Sequence, residues 1–96
     1  RSGAVRTLVG AKEAARAVVC LVPADSRSKR LVASVRSLRA RAVAPCWQGR
    51  LTPQFRVLVK LDVPVVLRGR VAVAAVISAQ ANPARGSSFV GAPTGP

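Results

Sequence analysis

The sequence predicts an α+β fold, one main amphipathic basic helix packed on a small, mostly antiparallel sheet, with extended N- and C-terminal arms. Three observations predict it. Residues 55–81 are the only long stretch in which apolar, β-branched side chains dominate, residues 26–43 repeat apolar positions at helical spacing, and residues 80–96 turn to Gly, Pro and Ser. Ninety-six residues suit one domain with a modest core, divided here into an arm at 1–10, an α+β domain at 11–79 and a tail at 80–96.

Taken in order, residues 1–10 show no clear period and read as an extended arm. Residues 11–17, AKEAARA, hold strong helix formers and predict two helical turns. The apolar run 18–22, closed by Pro23, then reads as a buried strand, and a single helix over 12–21 is the alternative.

The best helical pattern follows. Asp25 is placed to cap a helix over 26–43, and Leu31, Val35, Leu38 and Ala42 recur along one stripe, with Val32 and Val43 widening it. Pro45 ends the helix, because the residue before a proline is driven out of the helical region. Arg27, Arg30 and Arg41 fall on one flank of the stripe and Lys29, Arg36 and Arg39 on the other. In the first turn, Arg27, Lys29 and Arg30 sit where the helix dipole is already positive, so an anion bound there would relieve the local repulsion.

Residues 45–54, PCWQGRLTPQ, read as a loop. Trp47, next to Gln48 and Arg50, is a candidate stacking surface for an unpaired base, with folding back over the small-residue core as the alternative. Phe55, Val57, Val59 and Leu61 then alternate with Arg56 and Lys60 at the period of a half-buried strand, and Leu58 breaks the alternation. Pro64 divides 55–63 from 65–67 as separate strands, with one sharply bent edge strand as the alternative. Arg68-Gly69 predicts a tight hairpin turn into 71–77, with Arg68 and Arg70 projecting from the tip. The tail, rich in Pro and Gly, carries Phe89 and Val90 as the pair expected to anchor it on a neighbour.

The order Gly10-Ala11-Lys12, the buried run into Leu21-Val22-Pro23-Ala24-Asp25, the basic helix and a later Val-Ala-Val strand loosely resembles the ribosomal and kink-turn-binding family. That resemblance implies an αβα sandwich. It spans the middle half of the chain and is not matched residue for residue, and residues 45–54 depart from the pattern.

Charge is the dominant compositional fact. Sixteen Lys and Arg, thirteen of them Arg, stand against Glu13, Asp25 and Asp62, for a net charge of +13. A chain so charged repels itself unless anions neutralise it, and nucleic-acid phosphate is the commonest neutraliser for a compact basic protein. Arg adds bidentate phosphate binding and base stacking. The expected phosphate contacts are Arg27, Lys29, Arg30, Arg36, Arg39, Arg41, Arg50, Arg68 and Arg70.

The residue types needed for other chemistries are scarce. There is no His and no Tyr, the three carboxylates are isolated in sequence, and neither GxGxxG nor GxxxxGK[ST] occurs, so an enzyme is not expected. No cofactor, metal or small-molecule substrate is expected either. Two cysteines with no His give too few zinc ligands, and Cys20 and Cys46 are expected as reduced, buried thiols, with a single disulfide between them as the alternative. Residues 63–81, the best candidate for a membrane span, are interrupted by Arg68, Gly69 and Arg70. The chain has no Met, so Arg1 is expected to follow a processing cut, such as removal of an import presequence, or to lie partway into a longer product.

Together these features predict a structural RNA-binding component of a ribonucleoprotein, a ribosomal protein above all, on an organellar (mitochondrial or plastid) or cytoplasmic ribosome. Its partners would be rRNA and neighbouring proteins. The rival expectation is a basic accessory subunit of a large membrane-associated complex, such as a respiratory-chain assembly, that meets acidic subunits or anionic lipid.

Overall fold

The computed structural model describes residues 3–25, 34–79 and 86–93, the last strand by its backbone. Six strands dominate: β1 (Gly3–Val9), β2 (Ala15–Pro23), β3 (Trp47–Leu51), β4 (Val57–Val63), β5 (Val71–Ala79) and β6 (Gly86–Pro93). One α-helix, α1 (Val35–Arg41), and one 3-10 turn (Val65–Leu67) complete the described elements. The strands form a four-stranded sheet, β3-β2-β5-β6, and a separate two-stranded ribbon, β1-β4, and every pairing is antiparallel.

The central strands β2 and β5 are buried on both faces, which is why they read as near-continuous apolar runs in the sequence. Towards the ribbon they present Ala15, Ala17, Val19 and Leu21, and Val71, Val73 and Ala75. These meet Val9, Val59, Leu61 and Val63 of the ribbon, with Leu51 of β3, in the larger core. Towards the helix they present Val18, Cys20 and Val22, and Ala74 and Val76, under Leu38 with Val35 and Ala42. The layers are therefore helix, four-stranded sheet, two-stranded ribbon. This is not the αβα sandwich that the family resemblance implies, because strands rather than helices cover the second face.

The mixed, mostly antiparallel character is as expected, but there is no main helix among the described residues. Ser34 has extended backbone angles (φ −145, ψ 165), so the described helix starts there rather than continuing from 26. The cause is local. The Ser34 hydroxyl accepts from the Ser37 N–H at 3.1 Å, while the Ser34 N–H donates to Ser37 Oγ at 2.9 Å, a reciprocal cap that satisfies two donors a continuous helix would use otherwise. At the other end Ala42 is already extended, three residues before Pro45. Leu38 is fully buried, as the stripe predicts, and residues 26–33, with Leu31 and Val32, lie outside the described residues.

Several other expectations change. Residues 12–14 form a bend and 15–17 belong to β2, so 11–17 make no helix: alanines pack as well in a doubly buried strand as in a helix, and the sheet takes them. The segment read as an arm contributes β1, which pairs with β4 from Gly3↔Val63 to Val9↔Val57. The segment read as a loop contributes β3, held to β2 from Ala15↔Leu51 to Val19↔Trp47. Within the tail, β6 adds to the edge of β5.

The expected hairpin around Gly69 does not form. Residues 65–67 are a 3-10 turn, and β4 and β5 lie in different sheets, so the chain crosses between layers here. Gly69 does take the left-handed conformation a tight turn needs, with φ 78. The cysteines are not reduced: Cys20 and Cys46 form a disulfide, with Cα atoms 4.5 Å apart. Their separation in sequence conceals a cross-strand adjacency that only the β2–β3 pairing creates. No helix among the described residues is long and apolar enough to cross a membrane.

Candidate phosphate-binding cleft

The helix-facing side of the four-stranded sheet is covered at one end and open at the other. At the covered end, Leu38 lies over Cys20, Val22 and Ala74. At the open end the same face continues through Arg16, Arg50, Gln48 and Ser78, forming a cleft of about 490 Å³ with α1 along its side. Val18 and Val35 add apolar side chains, and Ala17 and Gly49, whose Cβ directions face the ribbon-side core, complete the lining.

Strand register creates the cation cluster. Arg16 stands directly opposite Arg50 in the β2–β3 ladder and opposite Ser78 in the β2–β5 ladder. Directly opposed side chains start about 5 Å apart, and two like charges so placed repel. Arg39 joins from the helix, donating from a guanidinium nitrogen to Gln48 Oε1 at 2.6 Å. That bond points the Arg39 side chain from the helix towards the rim of the cleft.

Among the described residues, no carboxylate lines this cleft. The chain has only three, of which Asp25 pairs with Arg41 at 3.5 Å and Asp62 lies on the outer face of the ribbon. Three guanidinium groups thus gather on one concave, solvent-accessible surface with an amide and a hydroxyl beside them. Such a set can hold a phosphate bidentately from more than one side, while the apolar floor accepts a sugar or base face.

The residues expected from the sequence are distributed unevenly. Arg39 and Arg50 meet in the cleft, and Arg36 is exposed on the same helix. Arg41 turns away to Asp25. Arg68 and Arg70 lie at the other end of the sheet, beyond the Pro23↔Val71 pair, roughly 23 Å from Arg16 along β2. There the Arg68 guanidinium lies over Gly3, its Nη2 only 3.0 Å from where a Cβ on that glycine would stand. Arg27, Lys29 and Arg30 lie outside the described residues.

Trp47 is half-buried, packed against the larger core with its ring along Gly49. Phe89 and Val90 pair by backbone with Ala75 and Ala74 in the β5–β6 ladder.

Arg16 is the cleft residue that sequence reasoning missed. Its signal was present as an alternation, Arg16 outward between Ala15 and Ala17 inward, but it is hidden once 11–17 is read as helix. Comparison with protein-family models, with curated proteins and with solved structures finds no match for this chain.

Proposed function

We propose that the protein is a non-catalytic, structural RNA-binding component of a ribonucleoprotein, ribosomal in the first instance, that grips RNA phosphates through arginine. The observation that carries this reading is the cleft in which Arg16, Arg39 and Arg50 converge with no carboxylate among the described residues to neutralise them. Local repulsion between Arg16 and Arg50 is relieved by a bound anion, so the folded protein favours the complex. Single-stranded RNA offers closely spaced phosphates for the three guanidinium groups, and a sugar or base face for the apolar floor. Arg36 extends the positive field along the helix, and Arg68 and Arg70 supply a second positive region at the far end of the sheet.

The test is equilibrium binding to single-stranded RNA over a range of salt concentrations. Affinity should fall steeply with salt, and Arg16→Glu/Arg50→Glu should weaken binding at least tenfold and flatten the slope by about 0.7 for each phosphate that the protein no longer neutralises. Unchanged affinity and slope in a folded double variant would remove the cleft from RNA recognition.

One observation favours the rival reading, an accessory subunit of a membrane-associated complex. The Cys20–Cys46 disulfide suits an oxidising compartment, whereas reduced thiols are the rule where ribosomes work. Co-sedimentation with ribosomal RNA that is lost on nuclease treatment supports the first reading, and detergent-stable association with membrane proteins in the absence of RNA supports the second.

A further inference from the structure

The outer face of the β1–β4 ribbon, on the opposite side of the molecule's core from the cleft, is left without a covering layer among the described residues. Its side chains fall in rows set by the register. Ala4 stands opposite Asp62, Arg6 opposite Lys60, and Leu8 opposite Leu58. The two leucines are 60% and 59% exposed, so together they form a small contiguous apolar patch on this face. Beyond them the Arg56 side chain lies over Gly10, its Cγ 3.2 Å from where a Cβ on that glycine would stand. The face therefore presents an apolar pair bracketed by Arg6 and Lys60 on one side and Arg56 on the other, with Asp62 at the far end of the ribbon.

We propose that this face docks on an anionic lipid bilayer, with Leu8 and Leu58 dipping between headgroups and Arg6, Lys60 and Arg56 lying at the phosphate level. The inference stands apart from the RNA reading of the cleft. Charge complementarity decides the occupant. Arg and Lys have long stems that can run alongside inserted apolar groups while the charged tips stay among the headgroup phosphates, and a basic surface near an anionic leaflet is attracted to it. A second copy of the chain fits badly, since stacking two such faces gathers the cations of both copies. Asp62, at the end away from the leucines, tilts the favoured contact towards the Leu8 and Leu58 end.

The experiment uses the full, oxidised chain with unilamellar vesicles of phosphatidylglycerol and phosphatidylcholine, against phosphatidylcholine alone. Wild-type protein should partition onto the anionic vesicles and keep part of that binding in high salt, because apolar insertion is not screened. Leu8→Asn/Leu58→Asn, which preserves charge and leaves the core untouched, should abolish the salt-resistant part and cut partitioning by about tenfold. Arg6→Gln/Lys60→Gln should lose substantially more low-salt binding than the charge-matched Arg16→Gln/Arg50→Gln. Wild-type-like partitioning of the leucine variant would overturn the proposal, leaving only attraction by net charge. It would also be overturned by an equal loss in the two charge variants, by a loss of RNA affinity in the leucine variant, or by a wild-type dimer that the leucine variant dissolves. Failure here leaves the cleft variants' RNA binding untouched, so the two readings are separable.

Discussion

Cys20 and Cys46 occupy opposed positions one step beyond the Val19↔Trp47 pair, so the disulfide extends the β2–β3 ladder as a covalent rung. It closes a loop with a sequence separation of 26 that contains α1, and thereby holds helix and edge strand to the central strand. This matters most for β3, a short edge strand whose Gln48, Gly49 and Arg50 have little intrinsic preference for a sheet.

Breaking that rung should destabilise the fold by about 3.5 kcal/mol on a chain-entropy estimate for a loop of this length. Urea unfolding of Cys20→Ala/Cys46→Ala, compared with the oxidised wild type, measures it. A variant with the wild-type midpoint would show that the bond contributes nothing to stability.

Gly49 is required by Trp47. A Cβ at position 49 would lie 2.5 Å from Cζ2 of the indole, so Gly49→Ala must push the ring off its seat against the core. We expect a loss of about 1–2 kcal/mol, in the usual range for overpacking, together with a red shift of the tryptophan emission as the ring meets water. An unshifted spectrum with unchanged stability would contradict the close approach.

Repulsion between Arg16 and Arg50 gives a prediction of opposite sign. Arg16→Gln should raise the free protein's stability in low salt by about 0.2–1 kcal/mol while lowering its affinity for RNA. Adding Arg50→Gln should bring little further stability, because the first substitution has already removed the pair. Thermal melts at two ionic strengths check this, and the stabilisation should shrink as salt screens the charges. Destabilisation by the single variant would mean that Arg16 makes a favourable contact in the free protein.

The helix layer and the ribbon's outer face should respond very differently to loss of a leucine. Leu38 is fully buried between α1 and the sheet, so Leu38→Ala should cost about 2–4 kcal/mol. Leu8 is 60% exposed, and Leu8→Asn should stay within about 0.5 kcal/mol of wild type. Similar losses at both sites, read from denaturant midpoints, would contradict the assignment of Leu8 to an uncovered face.

The elements legible in the sequence are those buried on both faces or strictly alternating. β2 and β5 are visible as apolar runs, and β4 as alternation, with Leu58 the exception that turns outward. β1 and β3 are not legible, because each becomes a strand by pairing with a distant partner: Val5 and Val9 are apolar anchors only once β4 lies beside them. The apolar stripe overextends the helix, because it says nothing about where a serine pair will cap it.

The sequence alone determined what depends on counting and short-range order: the charge of +13, the lack of His and Tyr, and the presence of doubly buried strands. The tertiary structure decided what depends on register. It put Arg16 beside Arg50, Cys20 beside Cys46, and Leu8 beside Leu58, each pair far apart along the chain. The physical reason is that a one-residue change in strand pairing leaves composition untouched but sends every side chain of that strand to the other face. Register is set by long-range core packing, so neither the cleft nor the outer leucine pair has a local signature.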